Sequence, residues 1–279
     1  MDKKVAIVTG ANSGMGLATT IELAKYGSHV IMFCRNENRG AEALKIAKEK
    51  SRSDNLSLIL CDLGSLESIR KATKEFKKHH QALDLLINNA GVVSIKKRVT
   101  QDGFESQLGV NHLGHFLLTN LLLDNLKAAD EARVIVVSSG AHKWGKIYFN
   151  DPHFIKNYNV IKGYGQSKLA NILFARALAN KLEGTNITVN SLHPGAVATN
   201  LGVDRGTGFG KMIMKGLSSF FKTPLQGVET AIYLATSPEV KGISGEYYYN
   251  KKKAPTSKRG LDLDLAEKLW RWSEEQVHL

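Results

Sequence analysis

The sequence predicts a single-domain α/β fold: a doubly wound, Rossmann-type parallel sheet of about seven strands with helices on both faces. Three observations carry this. Short β-branched or leucine-rich runs alternate with longer amphipathic stretches along all 279 residues. The runs are apolar almost throughout, as strands buried on both faces are. The first run leads through a glycine cluster into a helical pattern, the opening of a strand–turn–helix unit.

Val5–Thr9 is the first strand, others are expected at 30–34, 56–61, 83–87, 133–137 and 187–191, and Tyr247–Tyr249 is a last, aromatic one. Between them, Leu17, Ile21 and Ala24 share one stripe of a helix at 17–26. Helices at 38–50 and 66–78 are charged on one face, and Ser65 stands where it can cap the second ahead of Ile69, Ala72 and Phe76. Long amphipathic helices are expected at 104–127 and 167–182, and a shorter one at 228–236. Each strand–helix–strand step crosses over one face of the sheet. The strand order should therefore resemble 3-2-1-4-5-6 plus a seventh strand, with ligands beyond the carboxyl ends where the order reverses.

Composition sets the class. The chain is 43% apolar and 23% charged, enough to bury a large core. No linker, repeat or low-complexity tract divides it, so one domain over 1–279 is expected. No apolar run approaches the roughly 18 residues that span a bilayer. Met1 to Lys4 leads directly into the first strand, so neither a signal peptide nor an integral membrane anchor is expected. Cys34 and Cys61 form no CxxC pair, which fits a reduced, cytoplasmic setting. The net charge is +12, with basic clusters at 96–98, 251–253 and 258–259. Such clusters serve as solvated surface, as attraction for an anionic cofactor, or as peripheral contact with a membrane. Nucleic acid is not an expected partner, because no helix-turn-helix, zinc-finger or RNA-binding signature accompanies the charge.

After the first strand comes Gly10-Ala11-Asn12-Ser13-Gly14-Met15-Gly16, spaced GxxxGxG. Gly10 permits the tight turn, Gly14 removes a side chain where a diphosphate would approach, and Gly16 lets the helix sit close to the sheet. The helix N-terminus then offers free N–H groups to the diphosphate. The second strand ends in Cys34 followed by Arg35, where an NAD site carries an acidic residue. A guanidinium there suits the 2′-phosphate of NADP. Asp62, at the end of the third strand, is placed to accept from the adenine amino group or to cap a helix. Asn88-Asn89-Ala90-Gly91 ends the fourth strand with small residues and carboxamides, as an approach to the adenosine ribose or a plain turn requires.

Tyr164 and Lys168 are four residues apart and share a helix face. An ammonium beside a phenol stabilises the phenolate, so the phenol can trade protons with an oxygen that gains or loses hydride. Lys168 can also reach the nicotinamide ribose. Ser138 and Ser139 end the fifth strand, where a hydroxyl can orient a substrate oxygen. Asn111, a poor helix former inside a helix, is expected to hold a water for proton relay to Lys168.

These motifs resemble those of the classical short-chain dehydrogenases/reductases over nearly the whole chain. Thr9 to Gly16 is similar to the family's TGxxxGxG, Asn88 to Gly91 to its NNAG, and Asn111, Ser139, Tyr164 and Lys168 to its catalytic tetrad. Pro194-Gly195 looks like its PG motif. The resemblance implies cofactor contacts at Asn12, Ser13, Met15, Leu63, Asn89, Ala90, Gly91, Pro194, Gly195, Val197 and Thr199, the last holding the nicotinamide carboxamide. Residues 110–116, 167–171 and 193–195, a late helix with Leu269-Trp270, and the 25-residue gap from Ser139 to Tyr164 resemble the retinol dehydrogenase-like branch. Members are commonly dimers or tetramers, which implies a homo-oligomer formed through the long helices.

The expected function is NADP(H)-dependent hydride transfer to or from a lipophilic, retinal-like aldehyde, ketone or alcohol. An extended active-site loop at 140–163, with Trp144, Tyr148, Phe149, Phe154 and Tyr158, would frame the substrate. So would a glycine-containing lid at 196–223, with Leu201, Phe209, Met212, Ile213, Met214, Leu217, Phe220 and Phe221. Core or dimer packing is the other use for these side chains. The alternative function is a catalytically silent dinucleotide-binding sensor or scaffold. His112 and His115 have metal-compatible spacing but no carboxylate or thiolate partner at a suitable distance in sequence, so no metal is expected.

Overall fold

In a computed structural model, which describes residues 4–195 and 224–279, the apolar runs form one eight-stranded sheet. Its strands are β1 (Val5–Thr9), β2 (His29–Cys34), β3 (Leu56–Leu60), β4 (Leu85–Asn88), β5 (Ala132–Val137), β6 (Ile187–Leu192), β7 (Tyr247–Tyr249) and β8 (Lys252–Lys253). The order is β3-β2-β1-β4-β5-β6-β7-β8, parallel except for the β7–β8 pair. This is the expected arrangement with one strand more. β8 follows a two-residue turn in which Asn250 and Lys251 both have positive φ, 49° and 60°. Two exposed lysines carry no strand pattern, so β8 is illegible in sequence.

Ile7 and Val8 point to opposite faces of the sheet, and two cores grow from them. On one face lie α1 (Gly14–Lys25), α2 (Glu37–Ser51) and α8 (Pro224–Thr236), which bury Leu23, Ala43, Ala47 and Leu234 with Val8, Met32 and Ile87. On the other lie α3 (Leu66–His79), α5 (Gly114–Leu121) and α7 (Val160–Lys181), which bury Ile69, Phe76, Phe116 and Leu173 with Ile7, Leu86 and Val134. Ser65 caps α3 as expected, accepting from the Ser68 N–H at 3.3 Å.

The helix expected at 104–127 is broken. A short turn, α4 (Ser106–Leu108), passes through a π-turn at Gly109–Leu113 into α5, and α6 (Leu123–Lys127) follows. Tertiary crowding accounts for the glycines there. A side chain on Gly109 would strike Thr100, and one on Gly114 would collide with the Leu63 carbonyl oxygen. In contrast, α7 begins seven residues before the expected start at 167, capped by Asn159, which accepts from the Lys162 N–H at 3.0 Å. The last helix, α9 (Leu263–Val277), lies across α5 and α7. The Trp270 ring stands 4.8 Å from Phe116 and 6.0 Å from Phe174. No helix among the described residues is long and apolar enough to cross a membrane.

Candidate active site

The carboxyl ends of β1, β4, β5 and β6 open on one cleft of about 390 Å³, at the point where crossovers leave β1 and β4 in opposite directions. Of the residues singled out in the sequence, Gly10, Asn12, Ser13, Gly14, Met15, Gly16, Arg35, Asp62, Leu63, Asn89, Ala90, Gly91, Ser139, Tyr164, Lys168, Pro194 and Gly195 all line it. Asn111 lies behind the wall. Val197, Thr199 and the 196–223 segment lie outside the described residues.

The floor is the glycine loop. Gly10 and Gly14 adopt positive φ, 64° and 54°. A side chain on Gly16 would collide with the Gly10 carbonyl oxygen and the Asn89 amide, so this glycine lets α1 sit against the carboxyl ends of β1 and β4. Ser13 occupies the N-cap position of α1 without capping it, and no acidic residue stands in the first turn. The N–H groups of that turn are therefore left for an anionic ligand, which is the fit a diphosphate requires.

Cys34 ends β2 beneath this loop. Its sulfur accepts from the backbone N–H groups of Ala11 and Asn12, while burial pushes the thiol up to about 11. A neutral sulfur thus replaces a carboxylate. At this end of the cleft stand Arg35 and, unforeseen, Arg39. Neither guanidinium has an ion pair or side-chain hydrogen bond among the described residues. Arg39 lies in the first turn of α2, four residues after Arg35. Asp62 builds the turn after β3 through the Gly64 N–H at 2.9 Å, and it does not cap α3.

Thr9, quoted in the sequence motif but given no task there, joins the middle of the site together. Its hydroxyl accepts from the N–H groups of Asn89 and Ala90, each at 2.9 Å, and lies 2.8 Å from His115 Nε2. The His115 Nδ1–H donates to the Asn111 carbonyl at 3.0 Å. Nε2 is then the acceptor, and burial holds this imidazole neutral, its pKa down at about 4. His112 turns elsewhere, to the Ser273 hydroxyl on α9 at 2.8 Å, so the two histidines serve different elements.

The Asn111 side chain is held on both sides. Its Oδ1 accepts from the Val92 N–H at 2.7 Å, and its Nδ2 donates to the Val92 carbonyl at 3.1 Å and the Ser167 hydroxyl at 3.0 Å. Both amide hydrogens are spent on fixing the chain after β4, which leaves Oδ1 as the group that faces Lys168. A side chain on Gly91 would meet Asn111 Oδ1 and Lys168 Nζ at 3.5 Å each, so the glycine leaves a space between them open.

Lys168 is fully enclosed. Its Nζ donates to the Val137 carbonyl at 3.2 Å and lies 5.7 Å from the Tyr164 ring centre. Burial lowers its pKa to about 8. Tyr164 is pushed upward, first by burial, against a lowering hydrogen bond with the Ser139 hydroxyl. The sequence had suggested the reverse, a phenol made more acidic by the nearby ammonium. In the folded chain burial of the phenolate is the largest influence, and what opposes it is the Ser139 hydrogen bond. Both serines line the cleft, and the Ser138 hydroxyl also locks β5 to α7 by donating to the Lys168 carbonyl at 2.7 Å.

The aromatic residues of 140–163 face elsewhere. Tyr148 packs on Phe154 at 5.2 Å, Phe149 faces Trp272 of α9, and Tyr158 donates to the Ser94 carbonyl. None of them lines the described cleft; Trp144 lies against Gly165 and is more than half exposed.

Known proteins match this arrangement. The family model described as short chain dehydrogenase matches residues 4–208, and the chain belongs to that family. Across its whole length it is 47% identical to retinol dehydrogenase 14 of Homo sapiens, covering 88% of that protein. It is 41% identical over 99% of its length to retinol dehydrogenase 13 of Mus musculus, covering 84% of that protein. A solved structure of an uncharacterised Mycobacterium paratuberculosis protein superposes with a TM-score of 0.80 at 33% identity, covering 99% of this chain and 93% of that one. These relatives place the chain in the retinol dehydrogenase-like branch. Dehydrogenase or reductase action on alcohol and carbonyl groups, with a nicotinamide cofactor, follows from that membership.

Proposed function

We propose that this chain transfers hydride between NADP(H) and a lipophilic aldehyde, ketone or alcohol, with Tyr164 as proton donor or acceptor. One observation carries the reading: a single cleft runs from two guanidiniums with no ion pair among the described residues, over the uncapped start of α1, to Tyr164, Ser139 and Lys168. When bound, the dinucleotide supplies or takes the hydride. Arg35 and Arg39 hold the 2′-phosphate, and the first turn of α1 holds the diphosphate. Asp62 and Leu63 face the adenine, and Asn89, Ala90 and Gly91 the ribose. Pro194, Gly195, Val197 and Thr199 flank the nicotinamide.

Ser139 aligns the substrate oxygen. In reduction, Tyr164 gives its proton to that oxygen as negative charge builds there, and the Lys168 ammonium stabilises the phenolate left behind. The lipophilic substrate rests on the retinol named in the relatives. Cytoplasmic residence with peripheral membrane contact through the basic surface, and self-association, belong to the same reading.

A carbonyl panel assayed with NADPH and NADH tests it. Long-chain aldehydes and retinal should turn over, NADPH should show the lower KM, and Tyr164→Phe should lose about a thousandfold in kcat. A preference for NADH, or turnover of small polar carbonyls alone, overturns the cofactor or substrate assignment. Cofactor binding with no turnover of any carbonyl would favour the sensor alternative.

A further inference from the structure

Behind Ser139, away from the cleft, sits a histidine that the mechanism leaves unused. His142 follows Ser139 in the 3₁₀ turn at Gly140–Trp144 and is completely buried. Its Nδ1 lies 2.8 Å from the Ser139 carbonyl oxygen, so this nitrogen carries the hydrogen and donates. Its Nε2 is then an acceptor, and the backbone N–H of Ser257 donates to it at 3.3 Å. Both nitrogens are thereby satisfied in one neutral tautomer. The ring stands edge-on to Tyr247 of β7, 5.0 Å between centres. A second bond from the same downstream segment closes the turn, Arg259 Nη1 to the Gly145 carbonyl at 2.9 Å.

We infer that His142 is a positioning residue for Ser139: by gripping the serine's carbonyl from behind and being gripped by Ser257, it sets the direction in which the Ser139 hydroxyl enters the cleft. Ser138 anchors the chain just before Ser139 to β6 and α7; beyond it, the Ser139 carbonyl accepts from the His142 N–H at 3.1 Å, and its hydroxyl accepts from the Ala141 N–H at 3.3 Å and bonds Tyr164. Without the imidazole nitrogens, the turn keeps those bonds and the Arg259 tie to Gly145, but the Ser139 carbonyl loses its link through the ring to Ser257. The hydroxyl then samples orientations that miss the substrate oxygen, which lowers kcat while leaving the distant phosphate contacts intact.

This inference rests on the assignment of Ser139 under the proposed function, and a double-mutant cycle separates the two. His142→Phe keeps the ring against Tyr247 and removes both hydrogen bonds; His142→Asn can return a donor toward the Ser139 carbonyl. The assay uses the full chain, NADPH and the fastest carbonyl of the panel, with NADPH binding measured beside it. His142→Phe should lower kcat about threefold to tenfold, the worth of one neutral hydrogen bond, with NADPH affinity unchanged. His142→Asn should recover most of that loss. In a Ser139→Ala background, His142→Phe should cost nothing further. An equal loss in both backgrounds, or an undiminished kcat in His142→Phe, overturns the positioning role while leaving Ser139 in place. A fully active Ser139→Ala overturns the assignment beneath it, as does a panel without turnover, and the inference falls with either. Should His142→Phe not fold, His142→Ala in the same two backgrounds reads the same coupling.

Discussion

Lys168 shows most directly how the site trades stability for chemistry. An ammonium enclosed by protein with one carbonyl partner is held at about 8 rather than its ordinary 10.5. Between those values the unfolded chain holds the proton that the folded chain has released, so this residue's contribution to stability rises as pH climbs through that window. At neutral pH both states are charged, and the cost of burial, about 3 kcal/mol, is fully present. Lys168→Met should therefore raise Tm at pH 7 by about 2–5 °C while abolishing turnover, measurable by calorimetry beside an activity assay. In the unaltered protein, kcat/KM for carbonyl reduction should fall above about pH 8, where Lys168 loses the charge that steadies the phenolate. At the other end of the cleft, Arg35→Ala and Arg39→Ala should each raise KM for NADPH roughly tenfold and leave NADH little changed. Tyr164 and Lys168 were legible because one helical turn separates them. Arg39 was not, because an exposed arginine on a helix is ordinary, and His115 was not, because its partner Thr9 is 106 positions away.

Secondary elements were legible where periodicity or apolar runs decide, and illegible where tertiary contact does. β1 and β7 have the expected bounds. β4 starts two residues late because Asp84 is used to accept the Val5 N–H at 2.7 Å, and the Leu83 N–H donates to the Asn125 carbonyl. The start of α7 was missed because Val160, Ile161, Gly163 and Gly165 are weak helix formers. Both glycines are there for close approach, Gly163 to Gln107 and Gly165 to the Trp144 ring. The π-turn around Asn111 has no sequence period at all; the glycines at its two ends were the visible trace. In the cofactor loop, Gly16→Ala should prevent α1 from seating on Gly10. NADPH affinity should fall at least tenfold, with a lower Tm, as titration and thermal melts would show; wild-type affinity would mean the loop yields without cost.

Over the whole molecule, the outward face of α5 and α7 is covered by α9. Trp270, Leu269 and Val277 are buried there against Phe116 and Phe174. Self-association through the long helices, which the family resemblance suggests, would have to displace this helix. Trp270→Ala should cost about 3–5 kcal/mol in chemical denaturation and should promote concentration-dependent association detectable by sedimentation. A melt unchanged by this substitution would mean that α9 contributes little to the fold. The late Leu269-Trp270 helix was visible in the sequence, but its seat was not, because the apolar stripes of α5, α7 and α9 name no partners for one another.

The cleft lies across the β1–β4 junction, where the sheet is joined by one short pairing register between two halves whose helices diverge. A dinucleotide lying there touches both halves and binds only when they are together. At a hundredfold excess over Kd it adds about 2.7 kcal/mol to the native state. The consequence reaches into turnover: a cell rich in the dinucleotide should shield this chain from proteases, and one depleted of it should clear the chain faster, so its abundance would follow the supply of its own cofactor.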